Sequence, residues 1–132
     1  MNLEFLLLHR GSALFLDEIL EADEEHCLAR LTVKHDRADS VPAWYGIEWM
    51  AQAASAYSGE RKRLQGLAPR LGFLLGTQKY ESLRPSFEVG TAVEVEARLH
   101  YLDDTGLSAF RCEVRQNGQT VARAMLKTFE PL

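Results

Sequence analysis

The spacing of apolar residues changes twice along the chain. Between Trp44 and Leu64 the apolar positions Trp44, Ile47, Met50, Ala51, Ala54 and Tyr57 recur at helical intervals, and the spacing predicts a helix over about 44–64. Gly66 stands just past its end, and Arg61, Lys62 and Arg63 suit the negative end of its dipole. On either side the period falls to two. Ala92–Tyr101 alternates, with Val93, Val95, Ala97, Leu99 and Tyr101 on one face and Glu94, Glu96, Arg98 and His100 on the other. That is the pattern of a half-solvated antiparallel strand. In Leu107–Arg115, Phe110, Cys112 and Val114 share a face, and Asn117-Gly118 predicts a hairpin turn with two positive-φ residues into a strand over Val121–Phe129. Leu14–Glu21 and His26–Val33 read as strands joined by the acidic turn Asp23-Glu24-Glu25, and Arg70–Ser82 reads as another. Asn2–His9 reads as a short helix ended by Gly11-Ser12, and Lys34–Ser40 as a polar lead into the long helix.

Two strands, one long helix and about four more strands with short connections make an α+β chain. One helix facing one large antiparallel sheet must be wrapped by it, or much of its surface stays wet. Wrapping needs small side chains, and Ala51, Ala53, Ala54, Ser55, Ala56, Ser58 and Gly59 supply them. The expected architecture is therefore a hot-dog fold, an antiparallel sheet of about six strands around one long central helix. No linker, repeat or low-complexity tract interrupts the 132 residues, so 1–132 reads as a single domain.

Composition narrows the function. The net charge of −4 and the lack of a basic stripe with interleaved aromatics argue against nucleic acid as a partner. The apolar run Phe5–Leu8 is too short for a signal segment or a membrane span. Cys27 and Cys112 lack metal-type spacing and read as small apolar residues in a reducing compartment. A cytoplasmic location without membrane contact and without a metal site follows as the expectation.

Glu48 is the chemically informative residue. It stands alone among charges in the first half of a helix built from Ala, Ser, Gly and aromatics, and its apolar flanks predict burial. A buried acid there is either a structural cap of the first turn or a group poised for chemistry. Gln52, one turn on, either hydrogen-bonds Glu48 or is a buried structural amide.

The residues around Glu48 also carry a resemblance. Pro42, Glu48 and Met50-Ala51-Gln52-Ala53 are similar to the PGxxxxExMAQA segment of FabZ-type 3-hydroxyacyl-acyl-carrier-protein dehydratases. Leu8-His9-Arg10-Gly11-Ser12 through Leu16-Asp17 resembles that family's opening, and Gly76-Thr77-Gln78-Lys79 with Arg84-Pro85 and Gly90 its GxDKxxFxxPVxPGD region. Within it, Val41–Ala53 and Arg70–Ser82 resemble the VPAWxGIExMAQA and RLGFLLGTRxYES segments of the ApeP branch, associated with aryl-polyene biosynthesis.

The resemblance implies removal of water from a 3-hydroxyacyl thioester on acyl carrier protein, giving the trans-2-enoyl product without metal or organic cofactor. It implies dimers, homomeric or a hot-dog heterodimer, with a His of one subunit set against a helix acid of the other. Glu48 matches the acid. Counting fourteen positions back, to where the family places its His, lands on Lys34, with His35 one place later either the better base or a solvent-facing His in a charged loop. The family's Gly after Pro is Ala43 here, and the backbone N–H of Ala43 or Gly46 is expected to hold the thioester oxygen. Trp44, Tyr45 and Trp49 are expected to line an acyl tunnel or to serve as packing, and Gln52 joins Trp44 and Tyr45 as a substrate-binding candidate. His9, His26 and His100 are expected to be structural. Arg61, Lys62, Arg63, Lys79 and Arg84 offer either a docking patch for acidic carrier protein or an ordinary solvated face. Two other readings stay open: a non-catalytic subunit of a heteromeric hot-dog dehydratase, and a hot-dog acyl thioesterase.

Overall fold

Alternation along the strands and the small-residue helix find each other in the computed structural model of the protein, which describes Leu3, residues 14–68 and residues 72–130. Among these residues the elements run β1 (Glu18–Ala22), β2 (His26–Thr32), β3 (Ser40–Pro42), helix α1 (Tyr45–Leu64), β4 (Phe73–Ser82), β5 (Ser86–Glu88), β6 (Ala92–Leu102), β7 (Leu107–Gln116) and β8 (Gln119–Phe129). Six of the strands form one sheet in the order β1-β2-β6-β7-β8-β4. Every neighbouring pair in it is antiparallel.

The inner face of the sheet is the apolar set of each strand. Ala29 and Leu31 of β2, Val93 and Val95 of β6, Phe110 and Val114 of β7 and Leu126 of β8 are all buried. Against them the helix places Trp49, Met50, Ala53, Ala54, Ala56 and Tyr57, also buried. Tyr57 meets Phe110 edge-on at 5.4 Å between ring centroids. The alanines let the backbone layers come together, which is the hot-dog arrangement the pattern predicts. At its C-terminus the helix closes through Gly66 at φ +75°, whose N–H donates to Arg63 O at 3.0 Å while Leu67 N–H donates to Lys62 O at 2.8 Å. Only a residue tolerant of positive φ permits that double closure.

The structure corrects several expectations. β1 begins at Glu18 rather than Leu14, because the N–H groups of Phe15 and Leu16 bond the helix residue Gln52 instead of a strand. The polar lead runs at Ser40 into β3, which pairs with β5 as a separate two-stranded ladder. Tyr101 does not share a face with Leu99. The β6–β7 register shifts between Leu99 and Tyr101, the extra residue flips the alternation, and Tyr101 ends 50% exposed. Asn117 and Gly118 do take positive φ, 53° and 78°. The helix expected over Asn2–His9 lies outside the described residues apart from Leu3, as do Gly11, Ser12, Arg70 and Leu71.

Cys27 and Cys112 lie on the inner face, each directly beside Ala97 of β6. Burial pushes the Cys27 thiol up to about 12 and the Cys112 thiol higher still. They behave as small apolar core residues. Among the described residues no helix is long and apolar enough to cross a membrane.

Candidate active site

The helix carrying Glu48 starts without a side-chain cap, on Trp44 at φ −65° and ψ −14°. Its orphan donors are shared out unevenly. Ala43 N–H donates to Pro85 O at 3.0 Å, Gly46 N–H to Ala43 O at 3.0 Å, and Ile47 N–H to Trp44 O at 3.0 Å. The Ala43 and Gly46 donors expected to hold a thioester oxygen are therefore already committed. Among the described residues the N–H groups of Trp44 and Tyr45 at this end have no backbone acceptor. A helix start of this kind offers two donors and the positive end of the dipole.

Beside this turn opens a cleft of about 1080 Å³, lined by Trp44, Tyr45 and Glu48 from the helix start and by Leu31, Val33 and His35 from β2 and the segment after it. Phe15, Trp49 and Val89 add to its apolar wall. Trp44, 56% exposed, packs on Tyr45 at 4.6 Å, and Tyr45 meets Phe15 edge-on at 6.3 Å. Glu48 is exposed here, not buried as its apolar flanks predict. It stands on the less covered stripe of the helix, with Ile47, Ala51 and Ser55, while Gly46, Trp49 and Met50 on the other side are buried. The acid that the helix does bury is Glu60, 3% exposed, with Arg63 Nε at 3.1 Å from each carboxylate oxygen.

His35 shares the cleft with Glu48, but its ring is already engaged. Nδ1 accepts the backbone N–H of Arg37 at 3.0 Å, and the nearest carboxylate, Asp36, is 3.8 Å from it. An imidazole whose Nδ1 accepts carries its proton on Nε2 when neutral, so it can donate from that atom but not take a proton there. Lys34 is ion-paired with Asp17. The structure thus brings Glu48, His35, Trp44 and Tyr45 into one cleft. It leaves Ala43, Gly46 and Gln52 out of the lining.

Gln52 is 3% exposed, and its Oε1 accepts the N–H of Phe15 at 2.8 Å and of Leu16 at 3.4 Å. It anchors the segment that enters β1 onto the helix. The basic run at the far end of the helix is also occupied. Arg61 Nη1 donates to Tyr57 Oη at 3.3 Å, Lys62 lies 3.6 Å from Glu130, and Arg63 holds Glu60. Lys79 and Arg84 are exposed.

One residue of the site was missed by sequence reasoning. Tyr80 of β4 donates its hydroxyl to Ala43 O and reaches the first turn of the helix. Its place in the Arg70–Ser82 segment that resembles RLGFLLGTRxYES was the available signal, and only the strand register shows what it touches. A further titratable cluster lies on the outer face of the sheet. There Nε2 of His26 is 3.2 Å from Glu21 and 3.4 Å from Asp23, and its Nδ1 pairs with Glu96. Arg98 and Arg115 reach Glu96 at 3.1 and 2.6 Å. Burial works to raise the Glu96 carboxyl, but hydrogen bonds from His26 and Arg115 and the charges of Arg115 and Arg98 together hold it below its ordinary value.

Helix, wrapped sheet and acid-bearing cleft define a hot-dog protein, and comparisons with known proteins narrow this. The chain belongs to the ApeP-like family, described as ApeP dehydratase, whose model matches residues 1–132. It is similar to the dehydratase heterocomplex ApeI:P from Xenorhabdus doucetiae, with 24% identity and a TM-score of 0.92 over 100% of this chain and 92% of that one. An HP0420 homologue from Helicobacter felis is 15% identical with a TM-score of 0.71, over 96% of this chain and 86% of that one. A hypothetical thioesterase with coenzyme A from Streptococcus pneumoniae is 12% identical with a TM-score of 0.67, over 86% and 84%. Likeness at these identities speaks to the fold alone. No curated protein matches the chain.

Proposed function

We infer that this chain is the Glu48-bearing subunit of a heteromeric hot-dog dehydratase. Its substrate is a 3-hydroxyacyl thioester on acyl carrier protein and its product the trans-2-enoyl thioester. The observation that carries the reading is the cleft that Glu48 lines together with Trp44 and Tyr45, two residues whose N–H groups have no backbone acceptor.

In this reaction a base takes the proton from C2 and the electron pair enters the thioester as enolate character. The two N–H groups then meet a growing negative charge on the thioester oxygen, where such donors act most strongly. Glu48 gives its proton to the C3 hydroxyl, the C3–O bond breaks, water leaves and the C2–C3 double bond forms. The base is assigned to the partner subunit, because the Nδ1 of His35 is held by Arg37 and its Nε2 carries a proton. His35 in this reading donates from Nε2 to a substrate oxygen. The exposure of Glu48 fits a cleft that a partner covers, since closing the site expels water from around the reacting groups. The heterocomplex form of the similar ApeI:P dehydratase supports the same arrangement.

The test is formation of enoyl thioester from a carrier-bound 3-hydroxyacyl chain, by this protein alone and co-purified with an ApeI-type hot-dog subunit. The complex should be active and the chain alone inert. Glu48→Gln should cost the complex roughly 10²- to 10⁴-fold in kcat, the usual worth of a general acid, and His35→Gln far less. Full activity of the Glu48→Gln complex, or release of free thiol in place of enoyl product, would overturn the assignment.

A further inference from the structure

The geometry points to Tyr80 as a positioning residue that fixes the first turn of the helix, where Trp44, Tyr45 and Glu48 line the cleft. This rests on the dehydratase reading above and adds a residue to it.

Three observations converge on Tyr80. The first is its own contact, the phenol donating to Ala43 O. That carbonyl also accepts Gly46 N–H, and Ala43 N–H is held by Pro85 O. Both ends of the Ala43 residue are therefore tied down, and because its carbonyl and the N–H of Trp44 share one planar peptide, the direction of that N–H is fixed with it. The second is Gly46. A Cβ there would lie 2.5 Å from Tyr80 Oη but 3.4 Å from Cζ, so the hydroxyl alone demands the glycine. Gly46 and Tyr80 are a matched pair.

The third observation is the strand. In the β4–β8 register Gln78 faces Met125 and Glu81 faces Arg123, so Lys79 and Tyr80 together stand opposite Ala124. Lys79 sits at φ +55°, a conformation that costs a lysine energy. The strained extra residue turns Tyr80 from its ordinary place in the alternation toward the helix, the re-aiming for which bulges are known. Burial raises the phenol above its ordinary value, with Ser82 opposing, so the hydroxyl keeps its proton as a donor.

The test uses the complex with its partner subunit and the variants Tyr80→Phe, Gly46→Ala and the double variant. Tyr80→Phe should lower kcat roughly 10- to 100-fold, as loss of reactive geometry does, with KM changed less than about twofold because the ring remains. Gly46→Ala should act in the same direction, since its methyl displaces the hydroxyl. In the double variant the clash is gone, so kcat should stay within about threefold of Tyr80→Phe alone. Backbone amide shifts of Trp44 and Tyr45 in the full-length chain should move in Tyr80→Phe, while those of Val95 and Ala97 stay. Undiminished kcat in Tyr80→Phe, or losses that multiply in the double variant, would overturn the inference. Should the wild-type complex make no enoyl thioester, the dehydratase reading itself falls. The amide shifts then decide for Tyr80: movement confined to the helix start upholds the positioning role, and none refutes it.

Discussion

Gln52→Met separates structure from substrate binding at the one buried amide of the helix. Methionine keeps the length and volume of the side chain, so little cavity forms, but it removes the oxygen that accepts from Phe15 N–H at 2.8 Å and Leu16 N–H at 3.4 Å. Leu16 is 2% exposed, so its N–H has no easy route to water. A stranded buried donor costs about 1–3 kcal/mol. The short bond should bring most of that and the long one a fraction, for a total of about 2 kcal/mol. In a chain of this size, 1 kcal/mol moves the melting temperature by roughly 3–5 °C, so a fall of roughly 6–10 °C is expected. Urea unfolding should show a lower midpoint with unchanged slope. Activity of the folded complex should stay within a few-fold at low temperature. A melting temperature within about 1 °C of wild type would refute the anchoring argument. If KM rose sharply at the same time, Gln52 would be a substrate residue after all.

Three further expectations follow from the same geometry. The Glu96 carboxyl is held below its ordinary value near 4.5, so it binds fewer protons folded than unfolded. Its contribution to stability is present above that value and is lost as pH falls through the lower folded value. Glu96→Gln should therefore flatten the acid side of a melting-temperature profile, and an unchanged profile would count against the His26–Glu96–Arg115 cluster. Gly106 is at φ +97°, and a Cβ there would stand 2.0 Å from Glu130 O, whereas Gly118 at φ +78° opens on free space. Gly106→Ala should cost over about 2 kcal/mol and Gly118→Ala about 1 kcal/mol, and equal losses in chemical denaturation would show the close approach to be wrong. Cys27 and Cys112, both fully buried, should react with a thiol reagent only on unfolding, and rapid labelling of the native protein would contradict their place beside Ala97.

Most of the fold was legible because each element writes its period into the chain. Val93, Val95 and Ala97 alternate and are buried, and Ala53, Ala54 and Ala56 announce a close neighbour. What failed was local and depended on partners. The bulge before Tyr101 and the one at Lys79 exist only as mismatches between two strands, and one strand's sequence does not contain them. Ser40–Pro42 and Ser86–Glu88 are three residues each, too short to show a period. The site was half legible. The motif around Glu48 marked the right turn of the helix, yet its exposure depends on which stripe of that helix the sheet covers, and Glu48 lies on the other one. Gln52, four residues on, lies beneath the Phe15–Leu16 segment and is buried. Glu60 was passed over because a charged residue next to Arg61-Lys62-Arg63 looks like part of a solvated end.

Glu48 and β4 raise the same physical question from two sides. A carboxyl that protonates a leaving hydroxyl works best with water excluded, and in this chain it faces solvent. β4 is a ten-residue edge strand with Leu74 and Leu75 at 42% and 58% exposure, the kind of edge that proteins cover or blunt. Under the dehydratase reading one partner answers both needs, by pairing along β4 and closing over the cleft. Tyr80 belongs to that strand and bonds Ala43 in the turn before Glu48, so under that reading an event at the edge has a path to the acid. Were the partner only a lid, Tyr80→Phe and wild type would gain the same factor in activity on complex formation. If docking on β4 also sets the helix start, the variant should gain less.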